Sequence, residues 1–160
     1  MRRALPALLL IALAGCGGSD DDGLSAAEYR KQANKLCRQS ERVADRLPEA
    51  KAPDELDELF ERILEVTKPY DRRLDALVPP AELRARHERA VREGDRQERY
   101  VRGLVQDLRR SDDPIPTLRK EFPKLLKMVD RSNALARSLG VDDCVEELTP
   151  PGSGAPGTRS

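Results

Sequence analysis

The sequence predicts an all-α protein, an antiparallel four-helix bundle with proline-kinked helices and one disulfide. Apolar residues recur at helical spacing through the middle of the chain, and no alternating strand pattern interrupts them. Proline-containing breaks divide this region into four amphipathic segments. Short breaks between amphipathic helices favour up-down-up-down packing, so we expect neighbouring helices to be antiparallel.

The first predicted helix begins at Ser25. Glu28 follows three residues later and completes a capping box with Ser25, and Pro48 marks the end of the segment. The residues expected on its apolar face are Tyr29, Ala33, Leu36, Cys37, Val43 or Ala44, and Leu47.

The second predicted helix opens near Pro53 and is stopped by Pro79 and Pro80. Pro69 lies inside its pattern and removes one backbone donor, so we expect a kink there. The apolar side is formed by Leu56, Leu59, Phe60, Ile63, Val66, Tyr70, Leu74 and Leu77.

Two further helices follow, over about 81–110 and 116–139. Gly94 is the weak point of the third helix, Pro123 is expected to kink the fourth, and Gly140 is suited to end it. The inward residues of the third are Leu83, Val91, Val101, Leu104, Val105 and Leu108. Those of the fourth are Leu118, Phe122, Leu125, Leu126, Val129, Ala136 and Leu139.

The N-terminus has the parts of an export signal. Arg2 and Arg3 precede an uncharged stretch of 12 residues, from Ala4 to Gly15, which ends in small residues. A helix that spans a bilayer needs roughly 20 apolar residues, so this stretch is too short for a permanent anchor.

The tetrad Leu13-Ala14-Gly15-Cys16 resembles the lipobox of bacterial lipoproteins. This resemblance implies diacylglyceryl transfer to the Cys16 thiol and cleavage before Cys16. Two acyl chains would hold the protein stably to a membrane. The resemblance implies that this is the outer face of the cytoplasmic membrane. An ordinary signal peptide with an incidental Cys16 is the alternative.

The expected organisation has four parts. Residues 1–15 form the lipoprotein signal peptide, 16–24 a flexible acidic tether, 25–148 the helical bundle and 149–160 a disordered tail rich in Pro, Gly and Ser. Cleavage would leave 27 basic against 29 acidic residues, so the lipid rather than net charge must provide the anchoring.

Cys37 and Cys144 are the two cysteines outside the signal. An exported chain meets an oxidising environment, and the topology brings the end of the fourth helix beside the first, so we expect one disulfide. Because Cys37 lies about twelve residues inside the first helix, either the segment from Gly140 to Cys144 turns back along the bundle or that helix starts later. Two separate reduced thiols are the alternative.

Sparse motifs across the domain are similar to those of small helical envelope lipoproteins of actinobacteria. They are Tyr29, Ala33-Asn34 and Cys37, then the run from Leu74 to Pro80, then Ala134, Ala136, Leu139-Gly140 and Cys144. This resemblance implies a helical envelope lipoprotein with a disulfide, and it carries no catalytic residues across.

Composition and motifs argue against several functions. The 29 basic and 29 acidic residues balance, and aromatic residues make up 3% of the chain, so neither phosphate nor base recognition is expected. His87 is the single histidine and is expected in a solvated pair with Glu88. No metal site, cofactor or catalytic residue is predicted, since His87 has Arg84 where a bundle metal motif needs Glu.

Three function classes remain. The leading one is a non-enzymatic envelope lipoprotein whose bundle binds a protein partner or acts structurally. The second is a carrier of a small apolar or lipid ligand, held between helices that Pro69, Gly94 and Pro123 keep from packing tightly. The third is an enzyme with a carboxylate-rich cleft.

Overall fold

A computed structural model describes residues 23–147. In this part of the chain the elements are four α-helices and two short 3₁₀ helices, without a strand. The helices are α1 (Ala26–Ala44), α2 (Leu56–Asp75), α3 (Ala81–Arg109) and α4 (Pro114–Leu139). The 3₁₀ helices are Pro53–Glu55 before α2 and Asp142–Cys144 after α4. The predicted all-α bundle is confirmed.

The helix ends follow the local capping chemistry. Both halves of the Ser25–Glu28 capping box are formed, and Asp113 caps α4 by accepting a hydrogen bond from the Ile115 amide. That cap starts α4 at Pro114, two residues before the predicted start. The α1 helix ends at Ala44, ahead of Pro48, while α2 and α4 continue through Pro69 and Pro123 as single helices.

Each helix packs against the next one along the chain, and the bundle buries two apolar clusters. One lies at the end where α1 begins and α4 ends, and it contains Tyr29, Ala33, Leu83, Ala136, Leu139 and Val141. The other lies at the opposite end and contains Leu104, Leu108 and Leu118, with Leu56 and Phe60 packed against them.

The α2 helix is only partly buried. The apolar residues predicted for one side of this helix are all half-buried, and Leu56, Phe60 and Leu74 pack against the two clusters, although no residue of the helix is fully buried. The second helix therefore covers the core without being enclosed by it.

Candidate functional site

The cysteine pair joins the C-terminal segment to the first helix. Cys37 and Cys144 form a disulfide, with their Cα atoms 5.1 Å apart, so the predicted pairing is confirmed. Because α1 begins directly after Ser25, the bond requires residues 140–147 to turn back along the bundle. We call this segment the C-terminal strap.

The turn into the strap is made at Gly140. Its φ of 73° lies in the left-handed region, which a glycine adopts without strain. A Cβ at this position would stand 2.7 Å from Nε of Arg30, so a larger residue would also displace that side chain. Val141 then buries its side chain in the core, and the Asp143 amide donates to Oδ1 of Asn34 at 3.1 Å. The strap is thus fixed to α1 by the Asp143–Asn34 hydrogen bond and by the disulfide that follows it.

Asn133 fixes the other end of the strap to α4. Its Nδ2 donates to the Glu146 carbonyl at 2.8 Å, and its Oδ1 accepts from the Glu146 amide at 2.8 Å. Asn133 itself is buried, with 7% of its surface exposed. A single side chain therefore reproduces the hydrogen-bond pair that a neighbouring strand would supply.

Two arginines reach across the bundle to the end of α4. Nε of Arg30 donates to the Leu139 carbonyl at 2.9 Å, and Nη1 of Arg86 donates to the Ser138 carbonyl at 2.9 Å. The last carbonyls of a helix lack internal partners and carry partial negative charge, so both contacts are favourable. They connect α1 and α3 to the start of the strap.

His87 corrects a sequence expectation, because it is not a solvated partner of Glu88. It is buried, with 7% of its surface exposed, and its Nδ1 lies 3.0 Å from the Tyr29 hydroxyl. Its Nε2 lies 3.3 Å from the Asp75 carbonyl. The tautomer with its hydrogen on Nε2 satisfies both contacts, since it donates to the Asp75 carbonyl and accepts from the Tyr29 hydroxyl. Both ring nitrogens are used within the core, which favours a structural role.

The Tyr29 hydroxyl completes this contact from the first helix. Burial raises the pKa of Tyr29 to about 12, so the hydroxyl keeps its proton and is able to donate it to Nδ1 of His87. The two rings meet edge to face with their centroids 5.6 Å apart. The contact joins α1, the end of α2 and α3 at one point.

Glu93 is a second buried polar residue that sequence reasoning missed. Its carboxylate accepts from Nη1 of Arg96 and from Nε of Arg131, both at 2.8 Å. The Glu93 side chain is 8% exposed, whereas the two arginines remain more than half exposed. A carboxylate buried in this way needs its paired charges, which explains why α3 and α4 hold it between two guanidinium groups.

Carboxylates gather where α2, α3 and the strap meet. The Asp71 residue as a whole is solvent-exposed, but its carboxyl group is partly shielded from water. Asp75, Glu98 and Glu146 lie near that carboxyl. Desolvation and these charges raise its pKa to about 6, against a smaller lowering by the Thr67 hydrogen bond. Burial also raises the pKa of Asp75 and of Glu146. Asp71 can therefore take up a proton under mildly acidic conditions.

In residues 23–147, no group of three or more His, Cys, Asp or Glu side chains is arranged to hold a metal ion. Within the same residues, no helix combines the length and apolarity needed to cross a bilayer. Cys16, the predicted lipidation site, lies outside the described residues, as do the predicted signal peptide, most of the predicted tether and the predicted tail.

Two open concavities mark the surface of the described bundle. The first, of about 260 Å³, lies where the approach to α2 meets the turn between α3 and α4. It is lined by Pro53, Asp54, Asp57, Leu108, Arg109, Ser111, Asp112 and Pro114. Arg109 binds Asp57 at 2.9 Å and also pairs with Glu61 beside this groove. Because it lies at the end of the bundle opposite Tyr29 and Leu139, we call it the distal groove.

The second concavity, of about 350 Å³, lies between α3 and α4. Tyr100 forms part of its wall, donates to the Glu121 carboxylate at 2.7 Å and carries the Lys124 ammonium 4.4 Å from its ring centroid. Burial, followed by the bond to Glu121, raises the pKa of Tyr100. Both concavities are open and lined largely by polar and charged side chains, which suits a protein surface better than an apolar ligand.

Comparison with protein-family models, curated proteins and solved structures finds no match for this chain.

Proposed function

We propose that this chain is a lipid-anchored envelope protein whose bundle serves as a non-enzymatic, partner-binding or structural module. In this proposal Cys16 carries the diacylglyceryl group, and residues 16–24 connect it to the bundle. The supporting motif is Leu13-Ala14-Gly15-Cys16, which stands at the end of a short apolar segment that follows two arginines. Two acyl chains make such an anchor stable without help from the net charge of the protein.

The observation that carries the proposal is the Cys37–Cys144 disulfide. It joins residues 107 positions apart, and structural disulfides of this kind persist in oxidising compartments outside the cytoplasm. The chain therefore has a feature expected of an exported protein in a part of the sequence that is independent of the lipobox.

The burial of polar groups supports a binding or structural role. His87 uses both ring nitrogens within the core, and Glu93 is neutralised by two arginines. Groups engaged in this way stabilise helix packing and are not directed towards a substrate. The distal groove, by contrast, is lined largely by polar and charged side chains, as the polar margins of protein interfaces are.

Membrane retention tests the anchor. Wild type and Cys16→Ala are expressed in a bacterium that processes lipoproteins, and the membrane fraction is washed with high salt. Wild type is expected to stay with the membrane and to partition into detergent, while Cys16→Ala is released because it lacks the acyl chains. Equal release of both proteins would contradict the proposal.

Cross-linking tests the partner-binding part. A photo-reactive residue at exposed Asp112, beside the distal groove, is expected to give one recurrent product in intact cells. The same residue at Glu82, on the opposite end of α3, serves as the control. Identical products from both positions, or products that change from one preparation to the next, would argue against a specific partner at this groove.

A further inference from the structure

Gly23 and Leu24, which lead into α1, lie at the end of the bundle that holds the turn between α2 and α3. The Leu24 amide donates to the Val78 carbonyl at 2.9 Å, so the entering segment is attached to the turn between α2 and α3. A Cβ on Gly23 would lie 2.8 Å from the Pro79 carbonyl oxygen, which shows how closely the two segments approach. The start of α1 and the end of α4 lie at the same end.

The number of residues between Cys16 and Gly23 limits how far this end can stand from a lipid on Cys16. The two positions are seven Cα steps apart, and each step spans at most about 3.6 Å, so their separation cannot exceed about 25 Å. The α3 helix has 29 residues and is about 43 Å long at 1.5 Å per residue. The opposite end of the bundle therefore lies farther from Gly23 than the connecting segment can reach.

Charge is distributed unequally between the two ends, although the whole chain is neutral. The basic end, defined as residues 23–33, 72–87 and 134–141, has seven Lys and Arg against three Asp and Glu. The acidic end, defined as residues 45–62 and 103–120, has seven Lys and Arg against ten Asp and Glu. The sequence alone hides this difference, because antiparallel packing collects each end from separate parts of the chain.

From these observations we propose that the basic end of the bundle faces a membrane surface of anionic phospholipids, and that the acidic end with the distal groove points away from it. The proposal rests on the lipid anchor proposed above. Anionic headgroups attract the arginines around the turn between α2 and α3 and repel the acidic end. Val78, which is 51% exposed in this turn, adds an apolar contact with the interface.

Asp20, Asp21 and Asp22 oppose part of this attraction. Added to the basic end, they reduce its net charge from +4 to +1, while the acidic end keeps a net charge of −3. The orientation therefore depends on the short connection to Cys16 and on repulsion of the acidic end, and less on direct attraction.

Energy transfer between a dye on the protein and acceptor lipids tests this orientation. Ala81→Cys and Gln106→Cys place a label at exposed, uncharged positions near the two ends of α3, about 38 Å apart along the helix axis. The labelled, lipidated full-length chain is bound to vesicles of phosphatidylcholine and phosphatidylglycerol. Transfer is expected to be several-fold more efficient from position 81 than from position 106.

Two results would overturn the proposal in distinguishable ways. Equal transfer from both positions, with the protein still floating with the vesicles, would show that the bundle lies along the surface and would leave the anchor intact. Failure of the lipidated wild type to float any better than Cys16→Ala would instead remove the anchor, and the orientation with it.

Charge variants test the electrostatic part. Arg73→Gln with Arg137→Gln lowers the charge of the basic end, and Arg46→Gln with Arg119→Gln makes the matched change at the acidic end. The first pair is expected to reduce the ratio of transfer from positions 81 and 106, and the second pair to maintain or increase it. Indistinguishable ratios for the two pairs would contradict a contribution from charge.

Discussion

The Tyr29 hydroxyl and the His87 ring are hydrogen-bonded at 3.0 Å inside the bundle, although 58 residues separate them in the chain. The contact links the first and third helices beside the end of the second. In the tautomer that satisfies both contacts, Nε2 of His87 donates to the Asp75 carbonyl, which can only accept, and Nδ1 accepts from the Tyr29 hydroxyl.

Tyr29→Phe tests this contact. The substitution keeps the aromatic ring but leaves Nδ1 of His87 buried without a donor, so the free energy of unfolding should fall by about 1–3 kcal/mol. Urea unfolding at neutral pH measures the change. Tyr100→Phe is the control, because the Tyr100 hydroxyl lies at a surface groove and its loss should cost less. Equal losses of unfolding free energy for the two variants would show that the buried Tyr29–His87 hydrogen bond stabilises the fold no more than the surface bond of Tyr100.

Asn133→Ala tests the attachment of the C-terminal strap. The variant loses both hydrogen bonds to the Glu146 backbone, and we expect a loss of about 1–2 kcal/mol in unfolding free energy. Amide exchange should become faster at Glu146, while the Cys144 amide, which donates to the Val141 carbonyl, stays protected. Ser132→Ala, which removes a neighbouring bond to Gln97, is the control. Unchanged exchange at Glu146 in the Asn133 variant would refute the attachment.

Asp71→Asn tests the carboxylate cluster. The pKa of Asp71 is raised to about 6 in the fold from an ordinary value of 3.8, so the folded protein binds the extra proton between these pH values. Its charged form is therefore unfavourable, and the stability of the wild type should fall as pH rises from about 4 to about 6.

The Asn variant carries no charge at this position and should lose that part of the pH dependence. Because Asp71 is exposed as a residue, solvent screening limits the gain above pH 6 to less than about 1 kcal/mol. Thermal unfolding of both proteins at several pH values measures it, with Asp45→Asn, another exposed aspartate, as the control. A variant that is less stable than the wild type at pH 7 would contradict the assignment.

Removal of the disulfide tests its contribution to stability. The bond closes a loop of 108 residues counting both cysteines, for which chain entropy predicts a loss of at most about 4–5 kcal/mol in a Cys37→Ser, Cys144→Ser variant. The helical signal should persist at low temperature, because the two core clusters do not require the bond. A variant as stable as the wild type would show that the strap is held by its hydrogen bonds alone.

Helical spacing and capping residues were enough to predict the four helices and most of their ends. The Ser25–Glu28 pair and Gly140 act locally, so their effect can be predicted without knowing the tertiary structure. The disulfide was also predictable, since Cys37 and Cys144 are the two cysteines outside the predicted lipobox and the topology brings them together.

The buried polar contacts were not predictable in the same way. His87 stands beside Glu88 and several arginines, so its local sequence is typical of an exposed helix face. Its burial depends on Tyr29, which is distant in the chain and whose hydroxyl provides the partner that makes burial tolerable. Glu93 and Asn133 are similar cases, because their partners Arg131 and Glu146 are brought near by packing.

Intact mass of the protein purified from the cell envelope, before and after reduction and alkylation, tests the proposed anchor and its compartment most directly. The expected wild-type species begins at Cys16, carries a diacylglyceryl group and accepts two alkyl groups only after reduction. Cys16→Ala should lack the lipid mass but keep the disulfide. A wild-type mass without lipid, or two cysteines alkylated before reduction, would contradict the proposal of an exported, lipid-anchored protein.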